Sequence, residues 1–287
     1  MLSCSEIKVG EFEDKRFEEG FKFILSHFEH HIQIWPRTIS TALTDNKQMP
    51  IYHDERYALA KFKQSNLVDC RISGYPLYTE YKGIVRHTPD FLFIDMDLDN
   101  FVPFGNWSSK RLLDMALDNT LRKIKQTFGK NVEPTALWTG NGYHIYLPIQ
   151  PLTIPLESDT MFSMFSSPSQ SFIRFLEWYL SDSKCDPVHN TTVSFRNCMV
   201  RIPWSFNSKP LQSAGKTPDE SHVKLVQKWN GYRPKMPLEI LTDFKGHLVS
   251  FKRNKSSSNS IIMVVVIMPI TYAKLQFRGL KSCCKLH

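Results

Sequence analysis

Apolar residues recur along the chain with two different spacings, which predict where helices and strands form. Across residues 11–28, four apolar side chains from Phe17 to Phe28 recur at helical spacing and predict a first helix. A second helix is expected after Asp54, because a short side-chain carboxylate can accept a hydrogen bond from the first turn. These helices open an N-terminal α/β subdomain, predicted over residues 1–84.

Residues 91–99 predict a strand whose two faces differ. Successive side chains of a strand point to opposite faces, so one face is wholly aliphatic: it carries Leu92, Ile94, Met96 and Leu98. The other face carries two phenylalanines followed by Asp95, Asp97 and Asp99. We expect the aliphatic face to be covered, and the other to present aromatic rings and carboxylates on an open surface.

The elements that follow this strand predict a fold class. A helix from about Ser109 that stops at Gly129, two short strands, a second helix and a last strand follow in order. Their expected places are 135–139 and 143–147 for the strands, 167–179 for the helix and 198–202 for the last strand. This order is the split βαβ arrangement with helices on one face. The predicted fold is α+β: an RRM-like (ferredoxin-like βαββαβ) catalytic sheet beside the N-terminal subdomain.

The domain boundaries follow from where this pattern starts and ends. The catalytic domain is predicted over residues 85–250. Residues 251–287 contain a serine- and lysine-rich linker, an apolar decapeptide and a basic tail, and we predict no structure for them.

Composition narrows the class of protein. A net charge of +8 and a pI near 9.1 favour a polyanionic partner such as nucleic acid. The six cysteines are scattered without a Cys-x-x-Cys pair, which argues against a zinc ribbon and a disulfide framework. The longest apolar run, Ile261 to Ile270, is about half of the roughly twenty residues that cross a bilayer. We therefore expect a cytoplasmic protein with no zinc and no membrane partner.

Carboxylates are the first sign of chemistry. Asp95 and Asp97 lie two residues apart on one strand face, and Asp186, near the last strand, could complete a set of three. Hard divalent cations prefer such oxygen ligands, and Mg²⁺ is usually held by one or two carboxylates together with substrate phosphates. Two metals on these ligands would activate a primer hydroxyl and stabilise a pyrophosphate leaving group.

Cationic and amide groups are expected on the same open face. His144 lies on the second strand of the hairpin, whose turn contains Gly140 and Gly142 and lets backbone amides approach an anion. The last strand and the residues after it contribute three further groups: Arg201, Asn207 and Lys209. A cation and amide donors beside metal-bound carboxylates suit a nucleoside triphosphate.

These residues resemble the motifs of the archaeo-eukaryotic primase superfamily, in its branch of small archaeal and plasmid replicative primases. The resemblance covers about residues 85–210. It rests on the Asp-x-Asp strand end at 93–97, the Thr-Gly-Asn-Gly-Tyr-His turn at 139–144, the later Asp186, and the Arg-x-Pro segment at 201–209. Position 139 is Thr where the family usually has Ser.

The resemblance implies a metal-dependent DNA primase-polymerase, a nucleotidyltransferase that copies a template. Asp95, Asp97 and Asp186 would then be the catalytic ligands of a two-metal Mg²⁺ or Mn²⁺ site. Nucleotide contacts are implied for His144 and Arg201, with Asn207 and Lys209 as helpers. Many relatives insert a zinc-binding stem or carry a fused helicase, and this sequence shows neither.

The implied partners follow from that activity. They are a single-stranded DNA template and primer, an NTP or dNTP, and a separate helicase or primase subunit. Aromatic and basic residues between Arg71 and Arg86 offer a template clamp, although packing of the N-terminal subdomain is the favoured interpretation.

Two other functions are compatible with the same residues. A metal-dependent phosphodiesterase or nuclease would use the same carboxylates for hydrolysis. A non-catalytic single-strand-binding replication accessory would use the sheet alone, although three acids on its binding face would repel phosphate unless a cation lay between.

Overall fold

The fold is seen in a computed structural model that describes most of the chain. The described residues are 11–29, 34–52, 54–77, 80–81, 84–85, 89–151, 168–212 and 218–255. The tail after residue 255 and three of the proposed clamp residues, Tyr78, Lys82 and Arg86, lie outside them. No helix among the described residues is both long and apolar enough to cross a membrane.

Eight helices are described, and several begin or end where the sequence predicts. They are α1 (Glu11–Ser26), α2 (Glu55–Gln64), α3 (Ser109–Phe128), α4 (Pro168–Leu180), α5 (Pro187–Thr192), α6 (Ser208–Gln212), α7 (Pro218–Ser221) and α8 (Leu238–Lys255). The Asp54 carboxylate caps α2 by accepting the backbone N–H of Tyr57, as expected. Helix α3 ends before Gly129, whose φ of 108° suits glycine.

The described residues form ten short strands, arranged in two four-stranded sheets and one isolated pair. The strands are β1 (Arg37–Ser40), β2 (Met49–Ile51), β3 (Arg71–Ser73), β4 (Glu80–Tyr81), β5 (Ile84–Val85), β6 (Phe91–Asp97), β7 (Thr135–Trp138), β8 (Gly142–Pro148), β9 (Met199–Arg201) and β10 (Lys224–Gln227). The first sheet has the order β2-β1-β3-β9, and the second has the order β10-β7-β8-β6. The α+β class is therefore correct.

The position of β9 differs from the prediction. Residues 198–202 were expected to close the sheet that contains β6, but β9 pairs antiparallel with β3 in the first sheet. The fourth strand of the second sheet is instead β10, which pairs with β7. Val200 and Ile202 pack in the core of the first sheet, and this burial selects the partner. The complete βαββαβ order is thus not formed.

The two faces of β6 are both covered, for different reasons. Leu92, Ile94 and Met96 pack against α3 and α4, so helices cover the aliphatic face as expected. Phe91 and Phe93 are 1% and 3% exposed because the opposite face packs against the first sheet. The expected open surface therefore survives only at the end of β6 that carries the carboxylates.

The first sheet draws on distant parts of the chain, because β9 lies in it beside β1, β2 and β3. Tyr75, one of the proposed clamp residues, is 2% exposed and donates its hydroxyl to the Phe91 carbonyl at 2.6 Å. For this residue the packing interpretation is correct. The predicted division at residues 84 and 250 stays a prediction.

Candidate active site

A cavity of about 340 Å³ opens where the carboxylate end of β6 meets the edge formed by β3 and β9. Its wall contains most of the residues that the sequence singles out: Asp95, Asp97, Gly142, His144, Arg201, Asn207 and Lys209. Arg71, Asn141 and His189 also line it. The cavity therefore has an acidic side on β6 and a cationic side on β3, β9 and α6.

Asp95 and His144 lie opposite each other in the pairing of β6 with β8. His144 Nε2 lies 3.3 Å from Asp95 Oδ1, and His144 Nδ1 lies 2.9 Å from the Tyr146 hydroxyl. That hydroxyl accepts the backbone N–H of Arg201 at 2.9 Å. If the Tyr146 hydroxyl donates its own proton to His144 Nδ1, the imidazole is neutral. Hydrogen bonds then connect the β9 backbone to the Asp95 carboxylate through Tyr146 and His144.

Asp95 is ionised at neutral pH. Burial alone would raise its pKa, but the interaction with His144, followed by those with His189 and Arg201, holds the pKa at about 2. Burial lowers the pKa of His144 below its ordinary value despite the neighbouring carboxylate. The prediction that His144 approaches the carboxylates is confirmed.

Asp97 is held by an amide and an ammonium. Asn141 Nδ2 donates to Asp97 Oδ1 at 2.6 Å, and Lys209 Nζ donates to Asp97 Oδ2 at 2.7 Å. The same ammonium lies 3.0 Å from Asp99 Oδ2. Burial works to lower the pKa of Lys209, but its hydrogen bonds to the two carboxylates raise it above the ordinary value. A cation thus already bridges two acids of the β6 end.

Arg71 and Arg201 form the cationic wall of the cavity. They are register partners of β3 and β9, and both approach Asp69, whose Oδ1 lies 3.7 Å from Arg71 and 3.1 Å from Arg201. Arg201 also donates to Asn207 Oδ1 at 2.9 Å, so Asn207 orients it. Burial, together with Arg201, lowers the pKa of Arg71 to about 10. Two guanidinium groups share one buried carboxylate, which leaves this wall positively charged.

The glycines of the hairpin turn permit close backbone approaches. A side chain at Gly142 would place its Cβ 2.1 Å from the Met96 carbonyl oxygen. Gly140 has φ of 82°, and a Cβ there would lie 2.7 Å from the Glu220 carbonyl. Gly142 lines the cavity, whereas Gly140 supports the turn from beside it.

Asp186 does not line the cavity with the other two acids. Its carboxylate caps α5 by accepting the backbone N–H groups of Val188 and His189 at 3.3 and 3.1 Å. It also accepts Asn100 Nδ2 at 3.0 Å. Its own backbone N–H donates to the Asp95 carbonyl at 2.7 Å, so Asp186 is a backbone neighbour of the site.

Sequence reasoning missed Glu177 and His189. Glu177 is 2% exposed, and His189 Nδ1 lies 2.7 Å from its Oε1. Burial works to lower the pKa of His189, but the Glu177 carboxylate raises it above the ordinary value. The signal was weak: His189 follows Asp186 by one helical turn, and Glu177 is a single acid among the apolar positions of α4.

The donor chemistry of the β6 end fits a hard divalent cation. Asp95 and Asp97 offer carboxylate oxygens on one strand face, and the Lys209 ammonium marks a place where positive charge is favourable. Within the described ranges, no three His, Cys, Asp or Glu side chains are grouped to hold a metal ion on their own. Oxygens of a substrate would therefore have to complete the coordination.

The fold is similar to two solved primase structures. One is the catalytic domain of primase RepB′ in complex with initiator DNA, with 11% identity and a TM-score of 0.47, covering 83% of this chain and 98% of that chain. The other is primase RepB′, with 13% identity and a TM-score of 0.48, covering 92% and 70%. No protein-family model matches the sequence, and no curated protein matches it.

Proposed function

We propose that this protein is a primase-like nucleotidyltransferase that extends nucleic-acid strands on a DNA template. One observation carries the proposal: Asp95 and Asp97 line a single cavity together with Lys209 and the cationic wall of Arg71 and Arg201. Opposed acidic and basic walls suit a substrate that brings both phosphates and a divalent cation.

Each wall has its own task in this proposal. Asp95 and Asp97 would hold Mg²⁺ or Mn²⁺, with substrate oxygens completing the coordination. Asp186 is the proposed third acid of a two-metal set, and its carboxylate would have to leave the cap of α5 to take that role. When bound, such a metal supplies Lewis-acid activation of the primer hydroxyl and charge stabilisation of the leaving pyrophosphate. Arg201 and Lys209 neutralise the triphosphate.

The remaining site residues position these groups. Asn207 accepts from Arg201 and donates Nδ2 to the Thr139 carbonyl at 2.8 Å, which ties the basic wall to the hairpin turn. His144 contacts Asp95 and is the proposed third contact to the triphosphate. Because these donors are already fixed by protein contacts, little reorganisation is needed when charge develops on the phosphates.

The substrate and partners follow from the same chemistry. A cavity of about 340 Å³ lies within the usual range for a small-molecule site, which suits one nucleoside triphosphate, ribo or deoxy. The net charge of +8 supports binding of a single-stranded template and primer. Unwinding would be the task of a separate helicase, and a second primase subunit is an alternative partner.

The test is a synthesis assay with Mg²⁺ or Mn²⁺, labelled nucleotides, and single-stranded templates with and without a primer. The variant is Asp95→Ala with Asp97→Ala. Its matched control is Asp118→Ala with Asp243→Ala, which removes two exposed carboxylates from helices outside the cavity.

Strand growth with pyrophosphate release that disappears only in the Asp95/Asp97 variant supports the proposal. Products on unprimed template indicate priming, and products on primed template alone indicate a polymerase for extension. Strand shortening that depends on the same two acids would make the protein a nuclease. Single-strand binding without any reaction would leave the accessory function.

A further inference from the structure

The backbone of Asp95 is held on both sides of its strand. Strand β6 is at the edge of its sheet and pairs with β8 on one side. On the other side, the Asp95 N–H donates to Glu177 Oε1 at 3.1 Å, and its carbonyl accepts the Asp186 N–H at 2.7 Å. Both backbone groups therefore point away from β8, so Asp95 and His144 are a non-hydrogen-bonded pair, in which cross-strand side chains lie closest.

Glu177 is a buried carboxylate that accepts several hydrogen bonds and does not line the cavity. Besides Asp95, it accepts His189 Nδ1 at 2.7 Å and, through Oε2, Asn190 Nδ2 at 2.9 Å. A buried charge is costly unless it is paired and hydrogen-bonded. His189 lies against this carboxylate through Nδ1, and its ring packs on Phe93 with centroids 4.4 Å apart.

The position of Glu177 in α4 makes this arrangement specific. The residues around it, Phe172, Phe175, Leu176 and Leu180, are buried and apolar, so an aliphatic side chain would satisfy the packing of the helix. A carboxylate instead lies where an edge-strand N–H of β6 needs an acceptor. That N–H belongs to the residue whose side chain faces the cationic wall.

We propose that Glu177 is a positioning residue that sets the place of the Asp95 carboxylate through its backbone, with His189 as its hydrogen-bond partner. This inference rests on the proposed function, because it assumes that Asp95 holds the divalent cation. Metal ligands have to be held within about 0.5 Å of the productive geometry, and an unpaired strand end would not meet that demand.

The experiment measures Mn²⁺ binding to the full chain without nucleotide, by calorimetry and by the electron paramagnetic resonance of free Mn²⁺. Glu177→Leu removes both the acceptor and the charge. Glu177→Gln keeps an acceptor oxygen for the Asp95 N–H and removes the charge, together with the second oxygen that accepts Asn190 Nδ2. The control is Asp90→Asn, which changes another buried acid, near the opposite end of β6.

Glu177→Leu is expected to weaken Mn²⁺ binding by about 10- to 100-fold, as loss of an outer-shell partner does. Glu177→Gln and Asp90→Asn should stay within about threefold of the wild type, because both keep the Asp95 N–H paired. Binding of triphosphate in the absence of metal should be unchanged in all three variants. Thermal unfolding of each variant is recorded alongside.

The outcomes separate this inference from the proposed function. Equal weakening in the Gln and Leu variants would mean that the charge of Glu177 acts and not its hydrogen bond, and would overturn the positioning role. Unchanged Mn²⁺ binding in a folded Leu variant would overturn it as well. If the Leu variant does not fold, Glu177→Met, which also lacks the acceptor and the charge, takes its place and the same outcomes apply. If the variant with Asp95→Ala and Asp97→Ala binds Mn²⁺ as tightly as the wild type, the proposed function is overturned. The positioning role of Glu177 is then overturned too, because it assumes that Asp95 holds the cation.

Discussion

Arg71 and Arg201 lie directly opposite each other on β3 and β9, and the Asp69 carboxylate serves both guanidinium groups. Burial works to raise the pKa of Asp69, but Arg201 and the Ser208 hydroxyl bring it below the ordinary value. The two like charges are tolerable as long as this carboxylate lies between them.

The first prediction concerns this shared acid. Asp69→Asn should lower the free energy of unfolding by about 3–5 kcal/mol, because it leaves the largely buried Arg201 without its charged partner. Asp45→Asn, in an exposed pair with Lys47, should change it by less than about 1 kcal/mol. Urea unfolding measures both. Similar stability of the two variants would contradict the shared-carboxylate interpretation.

Lys209 should affect two ligands in opposite directions. Lys209→Met removes the ammonium that bridges Asp97 and Asp99, so Mg²⁺ binding without nucleotide should tighten several-fold. Triphosphate binding should weaken by about tenfold, because a charge-assisted contact is lost. Calorimetry with each ligand measures the change, and Lys47→Met is the exposed control. Loss of both affinities together would show that Lys209 does not compete with the metal.

The turn glycine Gly142 should be intolerant of a methyl group. Its Cβ would lie 2.1 Å from a backbone oxygen of β6, so Gly142→Ala should cost about 1–3 kcal/mol and displace the Asp97 end of that strand. Gly246→Ala is the control, because nothing lies within 4 Å of its Cβ and it lies inside α8. The control should gain up to about 1 kcal/mol. If thermal unfolding shows the same change in stability for Gly142→Ala and Gly246→Ala, the close approach of Gly142 to the Met96 carbonyl is contradicted.

His27 predicts how stability depends on pH. Burial lowers its pKa from 6.5 to about 4, although the Phe23 carbonyl partly opposes the shift. The unfolded chain therefore binds this proton more readily, so stability should fall as pH drops from about 6.5 to about 4. The loss from this residue is about 3 kcal/mol at most. Denaturant unfolding of His27→Gln should show a flatter profile, and an identical profile would mean that folding does not shift the pKa of His27.

The sequence predicts much of this structure because its signals are local. The stripe of α1, the cap at Asp54 and the alternation in β6 each need only a few neighbouring residues to be recognised. The hairpin of β7 and β8 was expected near β6, and the expected contact of His144 with the carboxylates is present.

What the sequence could not predict depends on long-range pairing. A three-residue strand such as β9 is too short for its sequence pattern to predict its partner strand. Likewise, Arg201 contacts Asp69, which lies 132 residues earlier in the chain. Arg71 was considered as part of a template clamp, because no local sequence pattern indicates that its side chain reaches the cavity. Asp186 is the opposite case. Its sequence motif indicates a position beside Asp95, but the capping of α5 determines where its carboxylate lies.

The sharing of the first sheet between residues 37–73 and 199–201 has a consequence for the order of folding. The contacts that build the cationic wall close loops of 132 and 139 residues, and such closures are entropically expensive and slow. The hairpin of β7 and β8 can form early from local contacts, whereas the wall arises only after the later segment has docked. A nascent or partly folded chain would therefore display its acids before Arg201 has joined Arg71 opposite them.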